Sequence, residues 1–415
     1  MNNKIDKILA EEIKDSCGDP TIKVTVWSND IFDSFAVPSG ASTGLREAHE
    51  LRDGDGKGVR NVVKKINNVI AKALVGQNIF NQGKIDRTMI KLDGTPNKDN
   101  LGGNAMVGVS IACAKLAAKA SGVETYQYLR TLRLGSGQAQ AKIKSSRKVP
   151  FLFLNLLEGG KHAKNKLAFQ EYHIVPQTEN IREAVEIGIG IDNTLKEIIK
   201  KELSANSVVL GDEGGFMPET SDVKKPLFYL NQAIKQNNLK DKARLSLDVA
   251  ASSFFESNSY KINDKNISRA ELMGIYYSLI KEFNLFSIED PFEQEDFDSF
   301  RELKENHEGL LIVGDDLTVS NKMLLQKAID RRSINAIIIK PNQIGTLTET
   351  LETMQLAREN NIEIIVSHRG KETEDDFIAD LAYAFGCFGF KAGAPTRPER
   401  MVKYQRLIKI AELSA

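Results

Sequence analysis

Cysteine is scarce in this sequence, with Cys17, Cys113 and Cys387 the only three among 415 residues. They stand far apart and without C-x-x-C spacing, which argues against a disulfide framework and against a structural zinc site. They read as reduced thiols of a cytoplasmic protein. Net charge is lacking too: 56 basic residues offset 56 acidic ones. No global field is left to recruit nucleic acid or an anionic membrane surface, so neither is expected as a partner, and any anionic ligand must be held by a local site. Long apolar runs are also missing. Nowhere do about 18 apolar residues follow one another as a bilayer span requires, and the stretch from Met1 to Ile8 has no apolar core of an export signal. A soluble, unexported protein is expected.

The length exceeds one ordinary compact domain, but a small domain followed by a barrel of roughly 250 residues accounts for it. From Thr21 to Val37 the β-branched and aromatic residues of TIKVTVWSNDIFDSFAV, interrupted near Ser28 to Asp30, predict a hairpin. A Pro-Gly-Ser loop follows from Pro38 to Gly44. Segments 46 to 52, 58 to 75, 82 to 91 and 103 to 120 carry apolar residues at three- and four-residue spacing and predict amphipathic helices. Residues 1–135 thus form an α+β domain. The stretch GSGQAQAKIKSSRK, Gly135 to Lys148, has few apolar residues; a linker is expected over 136–148, with the second domain over 149–415.

In that second domain short apolar runs recur, most of them ending on a polar or charged residue. ARLSLD ends at Asp248, NLFSIE at Glu289, GLLIVGD at Asp315, NAIIIK at Lys340, IEIIVSH at His368 and CFGFK at Lys391. Successive ends lie about 23 to 41 residues apart, mostly one strand-plus-helix unit. Apolar strands alternating with helices indicate a parallel sheet buried on both faces, and a series this long points to a (β/α)8-type barrel with its chemistry at the C-terminal strand ends. One polar strand end is unremarkable, since strands end at solvent; six around one barrel mouth form a site. Three carboxylates converging there would repel one another and need a cation. Hard oxygen donors suit Mg²⁺, so Asp248, Glu289 and Asp315 are the candidate metal ligands. Strand alternation expects the neighbouring Asp290 and Asp316 to point away from the mouth.

A divalent cation beside a lysine can remove a weakly acidic proton next to a carboxylate. Lys340 is the candidate base, since a nearby cation disfavours its ammonium form; the alternative for it is a plain salt bridge to a metal-site carboxylate. An acid is then needed on the opposite face. GDEGGFMP, Gly211 to Pro218, offers Glu213 in a glycine-rich turn where burial could hold a proton on it. Gly159-Gly160-Lys161-His162 and Gln170-Glu171 gain weight only from this context.

Long stretches, in order, now carry a family resemblance: AVPSGASTG (36 to 44), EAHELRD (47 to 53), NKLAFQEYHIVP (165 to 176), GDEGGFMP (211 to 218), LDVAASSFF (247 to 255), SIEDPF (287 to 292), VGDDLTV (313 to 319), IIIKPNQIGTLTET (337 to 350), SHRGKETEDDFIADLA (367 to 382) and KAGAP (391 to 395). The sequence resembles the enolase family along nearly its whole length. The base-plus-cation arrangement is itself the known pattern of that superfamily. The resemblance implies a modified TIM-type (β/α)8 barrel whose opening departs from simple βα alternation. It also implies Mg²⁺-dependent, reversible dehydration of 2-phosphoglycerate to phosphoenolpyruvate.

On the same basis, Asp248, Glu289 and Asp315 would hold the tighter of two Mg²⁺ ions, Lys340 would take the C2 proton and Glu213 would assist loss of the C3 hydroxyl. Lys391 would bind the substrate carboxylate, His368 and Arg369 would act around the phosphate, and Gln170 and Glu171 would line the pocket. The loop with Ser39 would close over the substrate and supply oxygen ligands to the second Mg²⁺, while the loop with His162 covers the other side. A homodimer or higher homo-oligomer is implied, as is a possible surface or secreted fraction beside the cytoplasmic one.

The sequence departs from the family pattern at a few points. Gly370 replaces a serine that would contact phosphate, Cys17 replaces an arginine near the family's subunit contact, Glu158 replaces an asparagine before Gly159-Gly160, and Ser253 replaces a glutamate. Two alternatives stand beside the main expectation: abstraction of a proton α to another carboxylate, or a non-catalytic binding protein on the same scaffold.

Overall fold

The computed structural model describes residues 3–40, 44, 46–54, 56–132, 149–203 and 208–414. Strands β1 (Lys7–Lys14), β2 (Pro20–Ser28) and β3 (Ile31–Ala36) form an antiparallel meander. Ser28 pairs with Ile31, so Asn29 and Asp30 make the turn of the expected hairpin, with Asn29 in the left-handed region at φ 52°. Alternation along β2 buries Ile22, Val24 and Val26 against the helix Gly103–Ala120. Gly108 permits that approach, because a Cβ there would lie 2.8 Å from Val24 Cγ2.

The helices expected over 58–75, 82–91 and 103–120 are present. The first is interrupted: Arg60–Lys65 and Ala71–Leu74 flank a π-helical turn, Ile66–Ile70. The second, Gln82–Asp93, begins on an Asn81 cap. The helix expected over 46 to 52 is absent. Its backbone groups bond to distant partners instead, Ala48 N–H to Gln343 O and His49 N–H to Asn97 O, both 2.7 Å, while Gly103 N–H binds His49 O at 2.7 Å. Tertiary bonds at the domain seam override the local periodicity. The linker expected over 136–148 lies outside the described residues.

The second region closes into an eight-stranded barrel. Its members in chain order are β4 (Phe151–Glu158), β5 (Glu171–Pro176) and β6 (Ala243–Asp248), followed, after a small inserted sheet of β7 (Phe255–Glu256), β8 (Ser259–Ile262) and β9 (Lys265–Ile267), by β10 (Ser287–Glu289), β11 (Leu311–Gly314), β12 (Ala336–Ile339), β13 (Glu363–Ser367) and β14 (Gly389–Lys391). From β6 through β10 to β14 and on to β4 every pairing is parallel, but β5 runs antiparallel to both β4 and β6. The departure at the barrel's opening is therefore a hairpin in place of the first βα unit. Register aligns Glu158 with Glu171, Glu171 with Asp248, and Asp248 with Glu289. Acidic residues thus ring one level of the mouth.

The first domain caps this end. Lys98 Nζ reaches Glu349 at 2.8 Å, Lys115 Nζ reaches Asp375 at 2.8 Å, and Asp86 accepts from Thr348 N–H at 2.9 Å. Among the described residues no helix is long and apolar enough to cross a membrane.

Candidate active site

All six run ends named from the sequence meet at the barrel mouth. Asp248 and Glu289 are the last residues of β6 and β10, Asp315 follows β11, and all three are buried. Lys391, closing β14, places Nζ 2.9 Å from Asp248 Oδ2, 3.1 Å from Glu289 Oε2 and 3.0 Å from Glu171 Oε2. Burial alone would discharge Lys391; Asp248, Glu171 and Glu289 outweigh it and hold the ammonium form well above its ordinary range. Glu289 is pushed well up, first by burial and then by Asp248. Negative charge is thus in surplus even with Lys391 among the carboxylates, and the donors are hard oxygens, the set that suits a divalent cation such as Mg²⁺.

Two groups draw their donor atoms to within 4.8 Å of one another, Asp290 with Asp315 and Asp316, and His162 with Glu171 and Glu213. Asp290 and Asp316 line the cavity rather than turning away from it. Alternation lapses because both lie beyond the last residue of their strands, and Asp290 adopts a left-handed φ of 42°. The Asp290 carboxylate accepts the N–H groups of Asp315 (3.0 Å) and Asp316 (2.6 Å), bracing the turn that presents Asp315.

Lys340 follows β12 and forms an ion pair with Asp315, whose other oxygen accepts from Gln343 Nε2 at 3.0 Å. Burial pulls the Lys340 ammonium down, but Asp315 more than offsets it and the net direction is upward. The salt bridge that was the alternative reading of this lysine is therefore present. Arg369 and Lys391 oppose that hold, and a cation drawing on Asp315 would weaken it further.

Across the barrel, the turn Gly211–Phe216 presents Glu213. Its carboxylate lies 3.3 Å from His368 Nε2 and 3.6 Å from His162 Nδ1, and it accepts from Asn155 Nδ2 at 3.2 Å. Burial was expected to keep a proton on Glu213. Burial and Glu171 do push its carboxyl up, but His368 and His162 pull harder, and the net direction is down. Against the downward pull of burial, Glu213 and Glu171 drive His162 up to about 9, while burial and then Glu213 push Glu158 up to about 8.

The third wall carries Arg369, which binds Glu47 Oε2 at 2.8 Å and Asn342 Oδ1 at 3.1 Å. Behind it the fully buried Arg400 donates to the carbonyls of Arg369 (2.8 Å), Gly370 (2.6 Å) and Asp212 (3.1 Å), and pairs with His368 Nδ1. Gln170 also lines the cavity, and its buried Oε1 has no hydrogen-bond partner. Ser39 is not brought to the carboxylates. Its Oγ donates to Glu50 at 2.9 Å and accepts from Arg52 at 3.0 Å, while its backbone pairs with Lys371 in both directions. Loop residues 41–43 and 45 lie outside the described residues.

Sequence reasoning missed Glu47, Arg400 and Gln343. Glu47 falls in a matching stretch, EAHELRD, but no local spacing announces an ion pair 322 residues distant.

The whole arrangement is a small polar cavity with a lysine entering from the end of β12 and a glutamate from the turn beside β4, three places round the ring, and carboxylates among them. Residues 146–415 match the family model described as the enolase C-terminal TIM barrel domain, and residues 5–129 match the enolase N-terminal domain. Similar curated proteins include an enolase of Methanosarcina barkeri, 44% identical over 99% of this chain and 94% of that protein. An enolase of Methanothrix thermoacetophila is 41% identical over 99% of this chain and 96% of that protein. Enolase B of Dictyostelium discoideum is 41% identical over 98% of this chain and 94% of that protein.

Proposed function

The chain belongs to the enolase family, and from that premise we propose that Lys340 and Glu213 are the base and the acid of its reaction. That reaction is the reversible dehydration of 2-phospho-D-glycerate to phosphoenolpyruvate in glycolysis and gluconeogenesis, which makes the protein a lyase, a phosphopyruvate hydratase. In the forward direction Lys340 Nζ takes the proton from C2. The electron pair left behind spreads onto the substrate carboxylate, where the Lys391 ammonium faces it. Arg369 and His368 hold the phosphate end, and Gln170, Glu171 and His162 wall the remainder. The C3–O bond then breaks, the pair forms the double bond, and Glu213 gives its proton to the departing hydroxyl as water.

Glu213 must hold a proton to do this. Substrate brings phosphate and carboxylate charge beside it, which favours its neutral form, and His162 is the adjacent proton source. Asp248, Glu289 and Asp315 would hold Mg²⁺, with a second ion taken partly by oxygens of the Ser39 loop. The bound cations supply Lewis-acid stabilisation of the developing charge. We further take the protein to be cytoplasmic, in keeping with its three free cysteines, and to work as a homodimer or higher homo-oligomer, in keeping with the family resemblance.

The observation that carries this reading is the placement of Lys340 and Glu213 three places apart round one carboxylate-lined cavity. Solvent deuterium exchange at C2 of 2-phosphoglycerate separates their roles. Lys340→Ala should lose exchange and turnover together, whereas Glu213→Gln should lose turnover and keep exchange. Exchange persisting in Lys340→Ala contradicts the assignment of the base.

A further inference from the structure

The turn that carries Glu213 is held from both sides. Arg397 Nη2 donates to Gly211 O at 2.7 Å and Arg400 Nη2 to Asp212 O at 3.1 Å, so arginines take two of its carbonyls. Two of its amides go to one carboxyl group, that of Glu158, the buried last residue of β4. Gly215 N–H donates to Glu158 Oε1 at 2.6 Å and Glu213 N–H to Oε2 at 3.4 Å. The fit leaves no spare room. A Cβ at Gly211 would lie 2.1 Å from Glu158 Oε2, and one at Gly215 3.0 Å from Oε1. The backbone N–H of Glu158 in turn binds Phe216 O at 2.9 Å, and its carbonyl accepts from Asn165 Nδ2 at 2.8 Å.

We propose that Glu158 is the positioning residue of the acid turn: its carboxyl group fixes the backbone of Glu213 and, as a second carboxyl beside it, governs how readily Glu213 holds the proton it must donate. This rests on Glu213 being the acid. A glutamine here would do different work from the carboxyl group. It offers one acceptor oxygen for two N–H groups and turns an NH₂ toward the other, and it carries no charge.

The charged groups facing Glu158 are Glu213 from the turn, Glu171 from β5 and His162 from the loop after β4. Like charge at close range disfavours ionising both carboxyls, so the pair titrates as a unit. Burial and Glu213 push Glu158 up to about 8. The pair thus keeps one of its two protons up to about that pH, although His368 and His162 hold Glu213 itself down, and a neutral amide at position 158 would take that proton away.

The test compares pH profiles of kcat and KM for wild type, Glu158→Gln and Gly211→Ala in the direction that forms phosphoenolpyruvate. Glu158→Gln should move the alkaline limb of kcat down by about one unit and lower kcat at pH 8 roughly tenfold, with KM changed less than about threefold. Gly211→Ala forces a methyl group against Glu158 Oε2 while leaving the charge in the chain. It should lower kcat in the same direction, and the double variant should fall no further than the worse single one. A melting curve for each variant establishes folding, and Gly211→Ala alone decides the matter if Glu158→Gln does not fold. An active wild type with an unmoved limb in Glu158→Gln, or a drop equal at every pH, overturns the inference. An inactive wild type sinks the functional reading itself.

Discussion

Lys391 Nζ lies 2.9 Å from Asp248 Oδ2, joining the end of the last barrel strand to the end of the third. The same ammonium touches Glu171 and Glu289, so one cation from the chain is shared among three buried carboxylates. Truncating one partner of a buried ionic network leaves the others uncompensated, typically at about 3 to 5 kcal/mol. Lys391→Met is therefore expected to lower stability by about that amount in denaturant melts without divalent cation. Added Mg²⁺ should restore part of the loss, since it binds the folded carboxylates and not the unfolded chain.

Arg400 ties two loops that the sequence separates by more than a hundred residues. Its guanidinium serves the carbonyls of Asp212, Arg369 and Gly370 at once, with no exposure to solvent. Arg400→Met should strand three buried carbonyls at about 1 to 3 kcal/mol for each one left unsatisfied. It should also free the loop that carries Arg369. Steady-state kinetics would then show KM raised by roughly tenfold or more, with kcat reduced as the Glu213 turn loosens.

Asp192 gives a prediction about pH far from the cavity. It is buried on the helix Ile181–Glu202, its Oδ1 has no hydrogen-bond partner, and burial pushes it up to about 7, with Lys196 opposing weakly. A carboxyl raised in the folded state binds its proton more tightly there than when unfolded. The folded state thus loses stability as pH rises from about 4, the unfolded value, through 7. Asp192→Asn should accordingly raise the melting temperature at pH 8, by a stability gain of up to a few kcal/mol, and the gain should vanish near pH 4. A gain equal at both pH values would mean that packing, not titration, is responsible.

The barrel was legible because its strands are short runs of Ile, Val, Leu and Phe cut off by one polar residue. AIII followed by Lys340, and EIIVS followed by His368, lie where those runs place them. The hairpin was legible from Asn29-Asp30, and the long helices from their periodicity. What failed was decided at a distance. The segment 46–52 gives its backbone to Asn97, Gly103 and Gln343 and forms no helix. Asp290 and Asp316 face the cavity because the chain has left strand geometry before them, at Glu289 and Gly314. The downward pull on Glu213 was not legible because burial is visible in a glycine-rich turn, whereas two histidines from other elements are not.

The central claim is that Lys340, beside a cation held by Asp248, Glu289 and Asp315, removes the C2 proton of 2-phosphoglycerate. Ultraviolet detection of phosphoenolpyruvate tests it most directly, with Mg²⁺, with EDTA, and with Lys340→Ala in Mg²⁺. The account predicts product only from the wild type with Mg²⁺. Folded, Mg²⁺-saturated wild type that forms no phosphoenolpyruvate, or a Lys340→Ala variant that forms it at an undiminished rate, would contradict it.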